Sequence, residues 1–420
     1  MSQRAMQVAY AGAHFGKSLL WHSSSLVFAF YLTEVVGFAP RLMGWVLAVS
    51  LLLNAVCDLG FGWVLGRWVR DLRSAALAQA YGSVLACLAF LAFAGAGLAP
   101  DGMTEAAAIL ALLAFRVGYS LLDVPQNTIL AFIAADDAGR TQMATLRYAS
   151  AGAALLLVAL ALAPWLANGA PAGRAMDFVL FAAFLTPVTF ATSLLLWAAA
   201  ARNLSLQAPQ TVQVEQEANA GPGLWLALVS ILVYSGCMPL FTKLEAYFVA
   251  FVPTQSGANF FMAAVAIGQI SAQLVWFRLA GQMDLISLYR WAAAGLGLVA
   301  FAFAGLAPLG GLVLLLVAAL HGGLSSGLLA TIWALLARSA AAAPAKATMW
   351  FGRFTFCSKI AQAVSALILG EALSALDYTQ SGQQGNLILA MAFGPLVTAA
   401  ACSMLGMIFY SRYRITQVAH

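Results

Sequence analysis

Residues 120–133 read SLLDVPQNTILAFI, an aspartate, a proline and two amides set inside an otherwise apolar segment. The predominantly apolar run around them extends from 104 to 134. That length excludes a membrane strand, which needs only about 9–11 residues and strict alternation. It exceeds the roughly 20 residues that a helix needs to cross a bilayer. Asp123 is therefore expected in a membrane helix, where an ionised side chain at the centre costs roughly 2.5–3.5 kcal/mol on insertion scales.

The rest of the chain repeats the pattern. Of 420 residues, 63% are hydrophobic and 8% charged, against about 25% charged in a soluble domain. Apolar stretches predict spans over 12–36, 40–66, 74–98, 104–134, 141–167, 176–201, 223–251, 257–280, 286–307, 310–338, 347–375 and 386–411. The expected fold class is all-α, a polytopic membrane protein of about twelve transmembrane helices.

Cations fix the expected orientation. Arg67, Arg70, Arg73, Arg140, Arg202, Arg278, Arg338 and Lys346 lie on one set of loops, with Arg4 before the first span and Arg412 and Arg414 after the last. The other loops hold little beyond Arg41 and Arg174. The positive-inside rule then places both termini in the cytoplasm, and a bacterial inner membrane is the expected location. The net charge of +5 is a topological signal, with no basic face for nucleic acid. The five cysteines fall in predicted helices without metal-ligand spacing, so neither a metal site nor a disulfide framework is expected. The first apolar run lacks a small-residue cleavage site and is kept as a span.

The longest polar interruption, RNLSLQAPQTVQVEQEANAGPG, begins at Arg202. It divides the chain into an N-terminal six-helix bundle (1–201), a cytoplasmic linker (202–222) and a C-terminal six-helix bundle (223–420). This layout resembles the major facilitator superfamily, whose halves are built from inverted repeats.

Four charged groups lie deepest in these spans: Asp58, Asp123, Arg147 and Lys359. Left unpaired they would cost on the order of 10 kcal/mol, so each is either functional or half of an ion pair that locks helices together. Their charges sum to zero, which predicts compensation if their helices converge on one cavity. Arg147 is the best placed as a structural partner. Helical spacing puts Asn54 and Asp58 on one face, and Tyr119, Asp123 and Asn127 on another, with Arg116 two turns before Asp123 on the same side. Pro125 frees a carbonyl near Asp123, as a cavity-lining break or a plain kink.

The run DVPQNTILAFIAADDAGRTQMATLRYASAG (123–152) resembles the fourth helix, loop and fifth helix of the melibiose permease-like glycoside-pentoside-hexuronide:cation symporters, with Asp136, Asp137, Arg140, Thr141 and Arg147 in pattern. FGKSLLWHSSSLVFAFYLTEVVG (15–37) resembles that family's first helix through Phe15, Gly16, Lys17 and the ending Thr33 to Gly37. NAVCDLGFGW (54–63) matches its second-helix signature at Asp58, Gly62 and Trp63, and SKIAQAVSALILG (358–370) places Lys359 at its membrane lysine. The chain departs from the pattern at Ser18 and Asn54, where the family carries acids, at Asn127, where it carries an aromatic, and at Gly66, where an aspartate usually precedes Arg67.

The resemblance implies a secondary transporter that alternates access to a site at the bilayer midplane. The expected function is cation-coupled symport, proton rather than sodium, of a small polar solute such as a sugar or glycoside. Asp123 is assigned to the solute, with Tyr119, Asn127, Lys17 and Trp21 as cavity neighbours. Asp58 is assigned to the coupling cation, with Asn54 beside it and Lys359 as a tethered counter-charge. Arg147, Arg116 and Arg140 are read as structural or gating charges. The open alternatives are an amphipathic or lipid-like substrate, and a non-transporting receptor or sensor on the same fold. No cofactor is expected beyond the coupling ion (H+ or Na+), and the partners are the solute and the lipid bilayer, with the monomer as the functional unit. Enzyme chemistry is not expected: His22 and His321 lie in separate apolar segments, and no nucleotide loop of the GxxxxGK type occurs.

Overall fold

The computed structural model describes residues 3–69, 71–133, 137–166, 175–202, 222–252, 257–341, 347–376, 378–379 and 384–418. They form an all-helical fold of thirteen α-helices. The first compact unit contains α1 (Gln3–Leu26), α2 (Phe28–Glu34), α3 (Pro40–Trp68), α4 (Leu72–Gly95), α5 (Thr104–Ile133), α6 (Asp137–Leu166) and α7 (Ala175–Ala201). The second contains α8 (Pro222–Phe251), α9 (Phe261–Ala280), α10 (Leu285–Leu306), α11 (Gly311–Ala341), α12 (Ala347–Ala375) and α13 (Gln384–Val418).

Eleven of these helices, α3 to α13, contain a stretch long and apolar enough to cross a membrane. The span expected over 12–36 differs. It is interrupted at Val27, where φ is −125°, and α1 begins earlier than expected, at Gln3. Gln7, His14, Lys17, Ser18, Ser23 and Ser24 give α1 its polar character, and all six are buried. A helix enclosed by its neighbours needs no apolar lipid-facing surface, so α1 can be polar and still sit inside the bundle.

The helix pairings of the first unit recur in the second. In the first unit α1 packs on α6 and α7, α4 on α5 and α7, and α3 on α5; in the second unit α8 packs on α12 and α13, α10 on α11 and α13, and α9 on α11. Two copies of one six-helix plan give this pattern.

The helix that carries Asp123 is held by direct backbone packing. At the crossing of α4 and α5, a Cβ on Gly82 would fall on the backbone of Leu121 and Leu122, and one on Gly118 on the backbone of Leu85 and Ala86. Such glycines let membrane helices meet without side chains between them. Gly118→Ala should therefore push α5 from α4 and cost about 1–3 kcal/mol of stability through overpacking, read as a lower melting temperature. Gly62→Ala, whose new Cβ would meet nothing within 4 Å, is the control that should melt near wild type. Equal melting of the two variants would refute the close approach.

Beyond that crossing, Phe28, Phe90, Phe93, Phe115 and Phe178 form an aromatic core. The Tyr31 hydroxyl donates to the Ala94 carbonyl at 2.6 Å and accepts from the Gly97 N–H at 2.9 Å, which ties α2 to the end of α4. At the other end of α4, Asp71 forms a capping box with Ser74. The Ser74 side-chain and backbone hydrogen bonds hold its carboxyl below the usual range.

Candidate functional site: a layered seam in the first unit

On α1, His14, Lys17 and Trp21 follow at helical spacing, and on α5 Tyr119, Asp123 and Gln126 do the same. The two helices run antiparallel, so the residues meet in three layers. Trp21 faces Tyr119 with ring centroids 5.5 Å apart. Lys17 Nζ donates to Asp123 Oδ1 at 2.6 Å, with side-chain exposures of 4% and 21%. His14 lies beside Gln126 without meeting hydrogen-bond geometry.

An ion pair this short in a nearly dry setting is charge-assisted and directional. It joins Asp123 to Lys17, expected as a cavity neighbour, where Arg116 and Arg147 are expected as structural or gating charges. Arg116 points elsewhere. It is 1% exposed, its Nε donates to Ser50 Oγ of α3 at 3.3 Å, and it forms no ion pair among the described residues. Arg147 of α6 donates to Asn127 Oδ1 at 3.2 Å, which brings a second cation to the seam.

Asn54, on α3, is engaged as well. Its amide donates to Ser120 Oγ of α5, and Ser120 Oγ donates back to the Asn54 carbonyl at 3.3 Å. Asp58, one turn further, lies close enough for its charge to act on Lys17 and Tyr119. The charge of Arg147 likewise reaches Tyr10, His14 and Lys17. Asp58, Asp123, Lys17 and Arg147 thus bring two anions and two cations together within this unit.

Lys359 lies on α12 of the second unit, 9% exposed. Its neighbour Ser358 shares a 2.7 Å hydrogen bond with Ser235 of α8 and accepts from Gln362 at 3.2 Å. The side chains of Asp137 and Arg140, with Asp136 and the linker over 203–221, lie outside what the structure describes.

Several polar groups escaped the sequence reading. Tyr10 Oη, His14 Nδ1 and both amide atoms of Gln126 are buried without a hydrogen-bond partner among the described residues. His14 stands one turn before Lys17, and Gln126 three residues after Asp123; that spacing was the available signal. Lys243 and Glu245, 6% and 3% exposed on α8, also lie inside a predicted span. Among the described residues, no group of three or more His, Cys, Asp or Glu is placed to hold a metal ion, and the five cysteines are free thiols.

Residues 9–417 match the sequence profile described as MFS/sugar transport protein. No curated protein matches the chain in sequence. Among solved structures, a nucleoside transporter, NupG, is 13% identical with a TM-score of 0.65, over 97% of this chain and 99% of that one. A bacterial homologue of the iron transporter ferroportin, in an inward-facing state, is 15% identical with a TM-score of 0.63, over 97% and 100%. A bacterial homologue of the human drug peptide transporters PepT1 and PepT2 is 12% identical with a TM-score of 0.64, over 100% of both chains. At these identities the structural likeness shows the fold alone.

Proposed function

We propose that this chain, which belongs to the MFS/sugar transport protein family, is a proton-coupled symporter of a small polar solute. The family makes it a membrane secondary transporter and not an enzyme; the coupling ion, the solute and the placement of both termini in the cytoplasm of a bacterial cell are our reading. The observation that carries it is the Lys17–Asp123 pair, set between an aromatic layer and a neutral polar one. A polyhydroxylated solute matches that order. Its apolar ring face stacks on Trp21 and Tyr119, its hydroxyls donate to the Asp123 carboxylate, and Asn127 and Arg147 orient it from the side.

Proton coupling is supported by the surroundings of Asp58. The neighbouring position on its helix face is the amide Asn54, which is already committed to Ser120. One carboxylate is enough to accept a proton, whereas sodium needs several oxygen ligands. A thermal-shift screen of the purified protein against sugars, sugar acids and lysolipids identifies the solute, and the lysolipids test the amphipathic alternative. In proteoliposomes, uptake of that solute is expected to follow an imposed pH gradient and to ignore sodium. Uptake that depends on sodium and is indifferent to pH would overturn the coupling reading, and specific binding without any flux would favour a receptor.

A further inference from the structure

Glu245 lies on α8 in the second unit with 3% of its surface exposed. Among the described residues it makes no hydrogen bond and no ion pair. Helical spacing places Phe241 and Phe248 on its face, one turn to either side. Phe241 stacks on His321 of α11 with ring centroids 3.8 Å apart. Phe241 and Phe248 both pack on Phe261 and Phe303. Glu245 thus shares its helix face with two residues of an aromatic cluster, on the helix that also carries Ser235 at the contact with α12.

The ionisable groups on the spans packed against α8 are Arg278 on α9, His321 and Arg338 on α11, Arg353, Cys357, Lys359 and Glu371 on α12 and Cys402 on α13, with Tyr234, Cys237, Lys243 and Tyr247 on α8 itself. Among the described residues none of these groups forms an ion pair or a hydrogen bond with Glu245, whose carboxyl is buried. Asp123 is the opposite case, because Lys17 holds its charge in place. A carboxylate tied to a lysine is suited to stay ionised, whereas a carboxyl with neither cation nor donor is suited to carry a proton.

We propose that Glu245 is a proton-binding site of the second unit. A carboxylate oxygen takes a proton from water when this part of α8 is open, the O–H is carried through the apolar interior, and the proton returns to water when α8 is exposed again. The site itself follows from the burial and isolation of Glu245; only the use of its proton in transport rests on the proton-coupled reading above.

Infrared spectra of the purified full-length protein, taken from mildly acidic to mildly alkaline pH, test the site without any solute. Wild type is expected to show the carbonyl stretch of a protonated carboxyl, shifted in D2O, and Glu245→Gln should lose it. If the glutamine variant is not recovered, Glu245→Asp should displace the band. A band unchanged in either variant would overturn the proposal. Transport separates the two readings. Sodium-driven, pH-indifferent uptake by wild type, with the band still lost in Glu245→Gln, defeats proton coupling and leaves the proton site standing. pH-driven uptake that is undiminished in Glu245→Gln defeats any role for the site in coupling. The expected result is that Glu245→Gln keeps solute exchange and loses accumulation driven by a pH gradient.

Discussion

Asp123→Ala is expected to abolish solute binding and also to melt well below wild type. The sequence alone predicts survival of the fold, since deleting a buried acid deletes its desolvation cost, unless Arg116 or Arg147 depends on that acid. The Lys17–Asp123 contact reverses that expectation. With the aspartate gone, Lys17 remains nearly enclosed on α1, and breaking a buried pair by removing one partner costs about 3–5 kcal/mol. The double variant Lys17→Ala/Asp123→Ala removes both charges and should recover most of the melting temperature. It should not recover uptake, because the carboxylate that accepts the solute's hydroxyls is still missing, at roughly 1.5–3 kcal/mol per charged hydrogen bond. Melting curves in detergent and uptake in proteoliposomes read the two effects separately. If the double variant regains both stability and uptake, the pair is only a lock between α1 and α5, and the solute binds elsewhere.

How far the site could be read from the chain follows from the same pair. Long apolar runs identified α3 to α13 because lipid-facing helices must be apolar, and the run around Asp123 was among them. The polar buried helix α1 was displaced in the reading for the converse reason: an enclosed helix is free of that constraint. Spacing along one helix correctly grouped Tyr119 with Asp123, since that periodicity is local. The match of Lys17 to Asp123 and of Trp21 to Tyr119 depends on the register of two antiparallel helices far apart in sequence, and neither helix states it alone. Arg116 shows the same limit. Its position on α5 suggested Asp123, but its side chain reaches across to Ser50. Glu245 lies away from the centre of its span, and its isolation from partners is a property of the packed bundle that the chain alone does not display.

Asp58→Asn is expected to leave solute binding intact and to eliminate accumulation against a gradient. The amide is nearly isosteric with the protonated acid, so the variant imitates one state of the cycle permanently. A proton can bias the inward–outward equilibrium only by binding the two states with different affinity. With that binding site removed, the gradient has nothing at Asp58 to act on, although the solute can still bind and exchange. Local geometry favours a clean result. Asn54 and Ser120 hold α3 to α5 through bonds that do not involve Asp58, and the charge of Lys17 stays compensated by Asp123. Counterflow exchange should therefore persist in proteoliposomes while pH-driven uptake stops at equilibration, and Asp58→Glu should restore part of the accumulation because it returns a titratable oxygen. Full accumulation by Asp58→Asn would make this aspartate a structural charge. Loss of exchange together with accumulation would place Asp58 in the solute site, beside the Tyr119 and Lys17 that its charge already reaches.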